Sequence, residues 1–324
     1  MSLPEGTKPI KSISIVMCTY NGEKYLREQL ESIVSQTYPI YELIIQDDRS
    51  SDSTLEIIKE YAANYSYIRW KVNEKNLGYN ANFRTAIQDA RGEFISISDQ
   101  DDIWYANKLE ELVKCIGNSS MCHSFSISQP QATVVSIKQA VNNNNTLERS
   151  LFSNVILGHC MLLKKDFIDQ LTVWNDDFFY DWWLAVNSYL HQGASQCEQI
   201  LTDHRIHPES VTCSHKAKKV KPHLPYIKGY SSFKALQKQP NWQFFYQHIY
   251  NKSKNRKELA VAHRIAGLML QKGPLPFLSL CFLSMRYRKR LMPRSGVNMV
   301  RAFFYPCFFA YQNDRFETPV RKQH

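Results

Sequence analysis

The chain lacks the glycine frameworks that cradle phosphate. Neither Gly-x-Gly-x-x-Gly nor Gly-x-x-x-x-Gly-Lys-Ser/Thr occurs, and only 11 of 324 residues are glycine. Dinucleotide-binding folds and P-loops hold pyrophosphate on backbone amides that those glycines lay bare, so both readings lose their basis. Cys-x-x-Cys is also missing. The eight cysteines follow no regular spacing, which argues against a zinc ribbon and for free, structural thiols in a reducing compartment. No run reaches the ~18 to 20 apolar residues of a membrane span. Met1-Ser2-Leu3-Pro4-Glu5-Gly6 lacks the basic-then-apolar profile of a secretory signal. A cytoplasmic protein is therefore expected. Acidic residues nearly vanish after His215. Up to that point 18 Lys/Arg face 27 Asp/Glu; beyond it 22 face 3, so the balance moves from −9 to +19 around an overall +10. A segment so poor in acids suits an anionic lipid surface. Nucleic acid is disfavoured as a partner, because no recognisable binding module accompanies the charge.

What is present alternates. Ile13-Ser14-Ile15-Val16-Met17 is a β-branched run of strand length that ends at Tyr20 and the turn pair Asn21-Gly22. Tyr25, Leu26, Leu30, Ile33 and Val34 then recur at helical spacing. A second strand over 41–46 runs into Asp47-Asp48, and Ser51, Asp52, Ser53 and Thr54 offer N-caps for a helix through Ile57, Ile58 and Tyr61. A third strand over 68–72, a loop over 76–80, a helix over 81–90 and a fourth strand through Phe94, Ile95 and Ile97 complete the series. This β-α-β-α-β-α-β order predicts an α/β fold, a mainly parallel sheet with helices on both faces. It places Tyr20, Asp48 and residues 99–102 along the carboxyl edge of the sheet, where such folds bind ligands.

The fourth strand ends in Ser98-Asp99-Gln100-Asp101-Asp102-Ile103-Trp104. Three carboxylates in four positions repel one another, and burying them is costly unless positive charge offsets them. A hard divalent cation is the usual remedy, since Mg2+ and Mn2+ prefer oxygen ligands and share them with substrate phosphates. The competing reading is an acidic turn ahead of a helix starting near Lys108.

Beyond residue 121 the pattern weakens. Short strands are expected over 124–136, a flexible polar loop over 142–145, and a strand over 155–163 interrupted by Gly158. Asp176, Asp177 and Asp181 flank Phe178, Phe179, Tyr180, Trp182 and Trp183, with a helix starting near Asp181. Residues 216–225 read as a charged linker, which divides the chain into 11–215 and a basic, helical 216–324. Helices are expected over 232–238, 244–252 and 258–270. Apolar 275–285, closed by Arg286, Arg288, Lys289 and Arg290, and aromatic 302–311 suit helices lying in a membrane interface. Packing on the first domain is the alternative for them.

Five pieces now stand in order: Val16-Met17-Cys18-Thr19-Tyr20-Asn21-Gly22, Ser32-Ile33-Val34-Ser35-Gln36-Thr37-Tyr38, Asp47-Asp48-Arg49-Ser50-Ser51-Asp52, Asn76-Leu77-Gly78, and the Asp99 to Trp104 run. Together they resemble the GT-A glycosyltransferases of the large family 2, over roughly residues 11–215. Asp-Gln-Asp-Asp-Ile-Trp, with Tyr180-Asp181-Trp182-Trp183-Leu184-Ala185 and Arg205-Ile206-His207, is most similar to bacterial rhamnosyltransferases of cell-wall and O-antigen synthesis. The resemblance implies the GT-A (nucleotide-diphospho-sugar transferase) fold; the basic, helical 216–324 segment extends it, and its charge and apolar runs suggest a peripheral place on the inner membrane face. It implies an inverting, metal-dependent transfer from a nucleotide-sugar donor, dTDP-rhamnose favoured over a UDP-hexose. The acceptor is then a polysaccharide or a lipid-linked glycan, and Mn2+ or Mg2+ the cofactor.

Residue roles follow from the resemblance. Tyr20 stacks on the base with Cys18 nearby, Asp48 takes a hydrogen bond from the base, and Asn76, Gly78 and Asn82 line the nucleoside pocket. Asp99 meets the ribose or the metal. Asp101 is the foremost metal ligand, supported by Asp102, and His207 meets the metal or diphosphate. Asp181 is the base that deprotonates the acceptor hydroxyl, with Asp177 as the alternative. Helix capping competes for Asp48 and Asp181, loop packing for residues 76–78, and core packing for Trp182 and Trp183 as a sugar platform. Two residues depart from the subgroup: Tyr180 where His or Glu commonly precedes the base, and His159 where a small or polar residue is more usual. Gln-x-x-Arg-Trp of processive synthases is absent, so one sugar per encounter is expected. A non-catalytic nucleotide-sugar-binding protein on the same fold is the reading from another class.

Overall fold

A computed structural model describes residues 10–129, 145–207, 223–292, 298–313 and Phe316. Of the expected segments, 130–136, 142–144 and 216–222 lie outside the described residues.

The first half is the expected alternation. β1 (Ile13–Thr19), α1 (Leu26–Val34), β2 (Glu42–Asp47), α2 (Thr54–Asn64), β3 (Ile68–Val72), α3 (Tyr79–Gln88) and β4 (Phe94–Ser98) follow in order. β1 pairs in parallel with β2 and β4, and β2 with β3. Every residue of β1, β2 and β4 is buried. That explains their near-continuous apolar runs, since parallel strands are covered on both faces. β3 buries only Ile68 and forms one edge of an eight-stranded sheet ordered β3-β2-β1-β4-β7-β6-β8-β5.

The remaining strands make the sheet mixed. β5 (Ile103–Trp104), α4 (Lys108–Ile116), β6 (Met121–Gln129), α5 (Leu147–Ser150), β7 (Met161–Lys164), α6 (Lys165–Gln170), α7 (Tyr180–His191) and β8 (Ala194–Arg205) follow. β7 lies antiparallel to β4 and β6, β8 runs parallel to β6, and β5 pairs antiparallel with β8. Where the pattern weakened, β6 is a nine-residue strand whose buried His123 and Ser124 hide its periodicity.

One expectation is corrected here. The strand anticipated over 155–163 is confined to Met161–Lys164, and residues Gly158–Cys160 form a 3-10 turn instead. The ammonium of Lys108 takes the His159 carbonyl at 2.6 Å, so that backbone leaves the ladder. Tyr180 fills the space beside Gly158: a Cβ there would lie 2.1 Å from the Tyr180 hydroxyl oxygen.

The basic end is helical: α8 (Leu224–Leu236), α9 (Pro240–Ser253), α10 (Ala260–Leu270), α11 (Pro274–Arg286), α12 (Arg288–Leu291), α13 (Met299–Phe303) and α14 (Tyr305–Gln312). One hydrophobic cluster runs from Val16 in β1 through Trp182 to Phe245, Ile265, Leu280 and Phe316. Trp182 and Trp183 lie inside it, 0% and 1% exposed. Trp182 packs on Phe178 and Phe245 with ring centroids 5.3 and 5.2 Å away. Their indole N–H groups donate to the Ser150 and Val173 carbonyls. Neither ring is therefore a sugar platform; both are core. On α9, Asn241 donates to the Asp177 carbonyl at 3.0 Å and accepts from Asn175 at 3.0 Å, so the last third of the chain brackets the loop ahead of Asp181.

Candidate active site

Three strand ends meet at the carboxyl edge. Tyr20, just past β1, is half exposed. Its backbone is clamped by one side chain: the Tyr20 N–H donates to Gln100 Oε1 at 2.9 Å, and Gln100 Nε2 donates back to the Tyr20 carbonyl at 3.1 Å. A Cβ at Gly22 would sit 2.4 Å from that same Gln100 oxygen, so glycine is required for the clamp to close. Asn21 and Arg49 both hold positive φ, 48° and 67°. Such backbone is rare outside glycine and costs free energy that the surroundings must supply. Here Asn21 Oδ1 accepts the Ser51 N–H, and Arg49 donates to the Glu74 carbonyl.

Asp48 organises the neighbouring pocket. Its carboxylate accepts from Asn73 Nδ2, the Leu77 N–H and the Gly78 N–H at 2.7, 2.7 and 2.9 Å. Asn76 Nδ2 donates to the Asp48 carbonyl at 3.2 Å. Asn73 also reaches Asn82 Oδ1 at 2.9 Å, and Asn82 donates to the Gln46 carbonyl. Asp48, Asn76, Gly78 and Asn82 thus come together around Asn73, a residue the sequence reading passed over. Asp48 does not cap the following helix: Asp47 accepts the Ser50 N–H and Asp52 the Thr54 N–H. Gly78 has φ +77° with nothing within 4 Å of a built Cβ, so it is kept for its backbone conformation. Cys18 lies buried beneath, its thiol pushed up by burial and then by the charges of Asp99 and Asp48.

The three acids after β4 part company. Asp101 pairs with His207 Nε2 at 2.6 Å. Burial, then repulsion from Asp99 and Asp102, raises its carboxyl above the ordinary range despite His207. Asp99, a third exposed, accepts from His159 Nδ1 at 3.0 Å. Asp102 turns inward and is 0% exposed. Burial alone would raise it, but the imidazoles of His159 and His204 and the ammonium of Lys108 outweigh that and hold it low. His204 Nδ1 bonds Asp102 Oδ1 at 2.9 Å, and His159 Nδ1 makes an ion contact with Oδ2 at 3.2 Å. Burial lowers His159, yet Asp102 and Asp99 pull it well above the usual imidazole range. Lys108 is fully buried, stacked on Trp104 at 3.5 Å, and donates to Thr202 Oγ1 as well as to His159.

At the outer end of the cluster Asp101 and His207 are in contact, with Asp99 two residues away in the chain. Asp101 and Asp99 offer oxygens and His207 an imidazole; burial first, and then the charges of Asp99 and Asp102, raise the Asp101 carboxyl, and a divalent charge there would oppose that shift. Asp102, His159 and His204 also hold their ligand atoms within 4.8 Å of one another. His159 bonds Asp99 and Ser126 and His204 bonds Asp102 Oδ1, while the buried Asp102 Oδ2 has only the His159 ion contact, so the trio forms an ionic brace with one under-satisfied carboxylate oxygen.

Asp181 stands in the first turn of α7, partly exposed, and accepts the Trp182 N–H at 2.7 Å. Negative charge is favoured there by the helix dipole. Tyr180 joins the two acid groups. Its ring stacks on Phe83 at 4.4 Å, and its N–H donates to Asn80 Oδ1. Burial, then the charges of Asp99 and Asp181, pushes its phenol well above the ordinary value. The two departures from the subgroup, Tyr180 and the turn bearing His159, are thus in contact across Gly158. His204 and Lys108 were missed. Thr202 and His204 alternate with Asp203 along β8, a signal for one buried face; Lys108 had no signal.

Residues 14–170 match the family described as Glycosyl transferase family 2. The UDP-Glc:alpha-D-GlcNAc-diphosphoundecaprenol beta-1,3-glucosyltransferase WfgD of Escherichia coli is 28% identical over 223 residues, 64% of this chain and 82% of WfgD. The dTDP-rhamnosyl transferase RfbG of Shigella flexneri is 38% identical over 117 residues, 34% of this chain but only 40% of RfbG. Other relatives of higher identity are likewise matched over less than half their own length. The solved structure of S. aureus TarS 1-349 with UDP-GlcNAc aligns with a TM-score of 0.57 at 18% identity, over 93% of this chain and 92% of that one. Residues 14–170, just under half of the chain, therefore resemble a family 2 glycosyltransferase domain, and the chain has the GT-A fold.

Proposed function

We propose that the protein transfers one sugar, with inversion, from a nucleotide-diphosphate donor to a glycan acceptor in polysaccharide synthesis. The observation that carries the reading is the Gln100 clamp, which ties the Tyr20 and Asp48 pocket to the Asp99–Asp101–His207 cluster. Tyr20 offers its exposed ring to a pyrimidine base, and the loop held by Asp48 closes around the nucleoside, with Cys18 beneath. Asp101, Asp99 and His207 would hold Mn2+ or Mg2+, which when bound supplies charge to neutralise a departing diphosphate. Asp102 keeps the brace behind them. Asp181 takes the proton from the acceptor hydroxyl as it attacks; Asp177, whose carbonyl is fixed by Asn241, is the alternative base. No Ser or Cys nucleophile is called for in a single displacement.

RfbG favours dTDP-rhamnose as donor, and WfgD keeps a UDP-hexose open. The diphosphoundecaprenol-linked acceptor of WfgD favours a lipid-linked glycan, and with it a peripheral place at an anionic membrane. The test is protection from thermal unfolding by dTDP-rhamnose, UDP-glucose and UDP-galactose, each with and without Mn2+. Metal-dependent protection by dTDP-rhamnose is expected. Protection by a UDP-hexose alone would shift the donor, and no protection by any would overturn the reading.

A further inference from the structure

α11 has the wrong kind of outer face for a surface helix. Its inner side, Phe277, Leu280, Cys281 and Ser284, is packed into the core. Its outer side carries Leu275, Leu278, Ser279 and Phe282, with Leu275 75% and Phe282 57% exposed. The spacing of Leu275, Leu278 and Phe282 keeps them on one stripe. α13 extends that stripe: Phe303 meets Phe282 with ring centroids 5.1 Å apart, and Met299 and Val300 stand 59% and 63% exposed beside it. Scattered apolar residues need no explanation, whereas a contiguous patch does.

The rim is basic. A groove on the patch is lined by Arg264, Ser279, Phe282, Leu283, Arg286 and Tyr287. Residues 259–313 contain eight Lys/Arg and not one Asp or Glu. No described helix is long and apolar enough to cross a membrane, and α11, with 13 residues, spans only about 20 Å. An apolar stripe with a cationic border and no acids is complementary to a bilayer surface bearing anionic headgroups. It does not suit a basic or neutral protein partner.

We infer that α11 and α13 form the membrane-docking face: Leu275, Leu278, Phe282, Met299 and Val300 enter the headgroup boundary, and Lys272, Arg264, Arg286 and Arg301 meet anionic lipid. The biological sense of this rests on the lipid-linked acceptor proposed above. Vesicle binding is measured with neither donor nor acceptor, so the two can fail separately.

The test is co-sedimentation of the full chain with phosphatidylcholine vesicles, with and without phosphatidylglycerol. Binding is expected only with the anionic lipid, weakened by salt. Leu278→Glu with Phe282→Glu should lose at least about tenfold in partition, since two apolar anchors become charges facing the lipid. Arg264→Gln and Arg286→Gln should each cost about fivefold, from ~1 kcal/mol per basic residue near the surface. Both pairs are exposed, so an unchanged melting temperature shows that the fold persists. Three results overturn the inference: no binding by the wild type, equal binding by the Leu278/Phe282 variant, or concentration-dependent dimerisation that the same variant abolishes, which would make a second copy the occupant.

Discussion

Replacing Gly158 by alanine tests how tightly the turn under the acid cluster is built. The added Cβ would lie 2.1 Å from the Tyr180 hydroxyl oxygen and 2.9 Å from the ring carbon that bears it. That is more than an ångström inside ordinary contact. Tyr180 has little room to retreat: it is 6% exposed, stacked on Phe83, and held through its N–H by Asn80. The turn cannot retreat either, because the His159 carbonyl is taken by Lys108 and the His159 ring by Asp99 and Ser126. Overpacking of this kind costs about 1–3 kcal/mol, and both walls being fixed puts Gly158→Ala at the upper end. Tyr180→Phe removes an oxygen that has no hydrogen-bond partner among the described residues, so alone it should cost less than about 1 kcal/mol. In the double variant the worst contact is gone, and about 1–2 kcal/mol should return as a coupling term. Urea denaturation read by tryptophan fluorescence measures all four corners of the cycle. If Gly158→Ala is neutral, or if the two changes add within about 0.5 kcal/mol, the contact is not what fixes the turn.

Asp102→Ala should destabilise by about 3–5 kcal/mol, since it strands Lys108 and two imidazoles in the interior; a loss within the error of a surface change would refute the brace. Asp101→Ala should abolish Mn2+-dependent donor protection in thermal melts, and should also lower the melting temperature without ligand, because His207, 10% exposed, loses its ion partner. Asp181→Asn should keep donor binding and lose transfer, and full transfer by that variant would mean that another group is the base. Stability should fall with acid. Burial lowers His123 to about 4, and burial with the nearby Lys252 lowers His248 to about 4, against 6.5 unfolded. The unfolded chain therefore binds more protons between about pH 6.5 and 4, so stability is full above that window and is lost as pH falls through it, up to about 3 kcal/mol per histidine. Urea midpoints at pH 7 and pH 5 should differ, and His248→Gln should reduce the difference.

Much of the site was readable because it hangs on strand ends. β1, β2 and β4 are fully buried, so their apolar runs stood out, and the chemistry begins where those runs stop: Tyr20, Asp48, Asp99. His207 was reached through the Arg205-Ile206-His207 resemblance, and the structure puts it on Asp101. What escaped was whatever depends on contacts between distant segments. Lys108 looks like the first turn of a surface helix, and only the sheet closing over it shows a buried ammonium. Trp182 and Trp183 have the composition of a sugar platform; their neighbours Phe245 and Phe316, more than sixty residues away, make them core. The 155–163 run has strand propensity on either side of Gly158, but Tyr180 and Lys108 hold residues 158–160 out of the ladder. In each case the deciding partner lay outside any local window.

The Asn241 bracket and the aromatic cluster around Trp182 bear on how the chain matures. The acid-bearing edge is complete in sequence by His207, yet the loop before Asp181 gains its last tether only after α9 has emerged. A ribosome-bound chain paused near residue 222 would display Phe178, Trp182 and Trp183 to water. Such an intermediate should recruit chaperones and resist becoming competent, so ordering of the pocket waits for α9 to emerge.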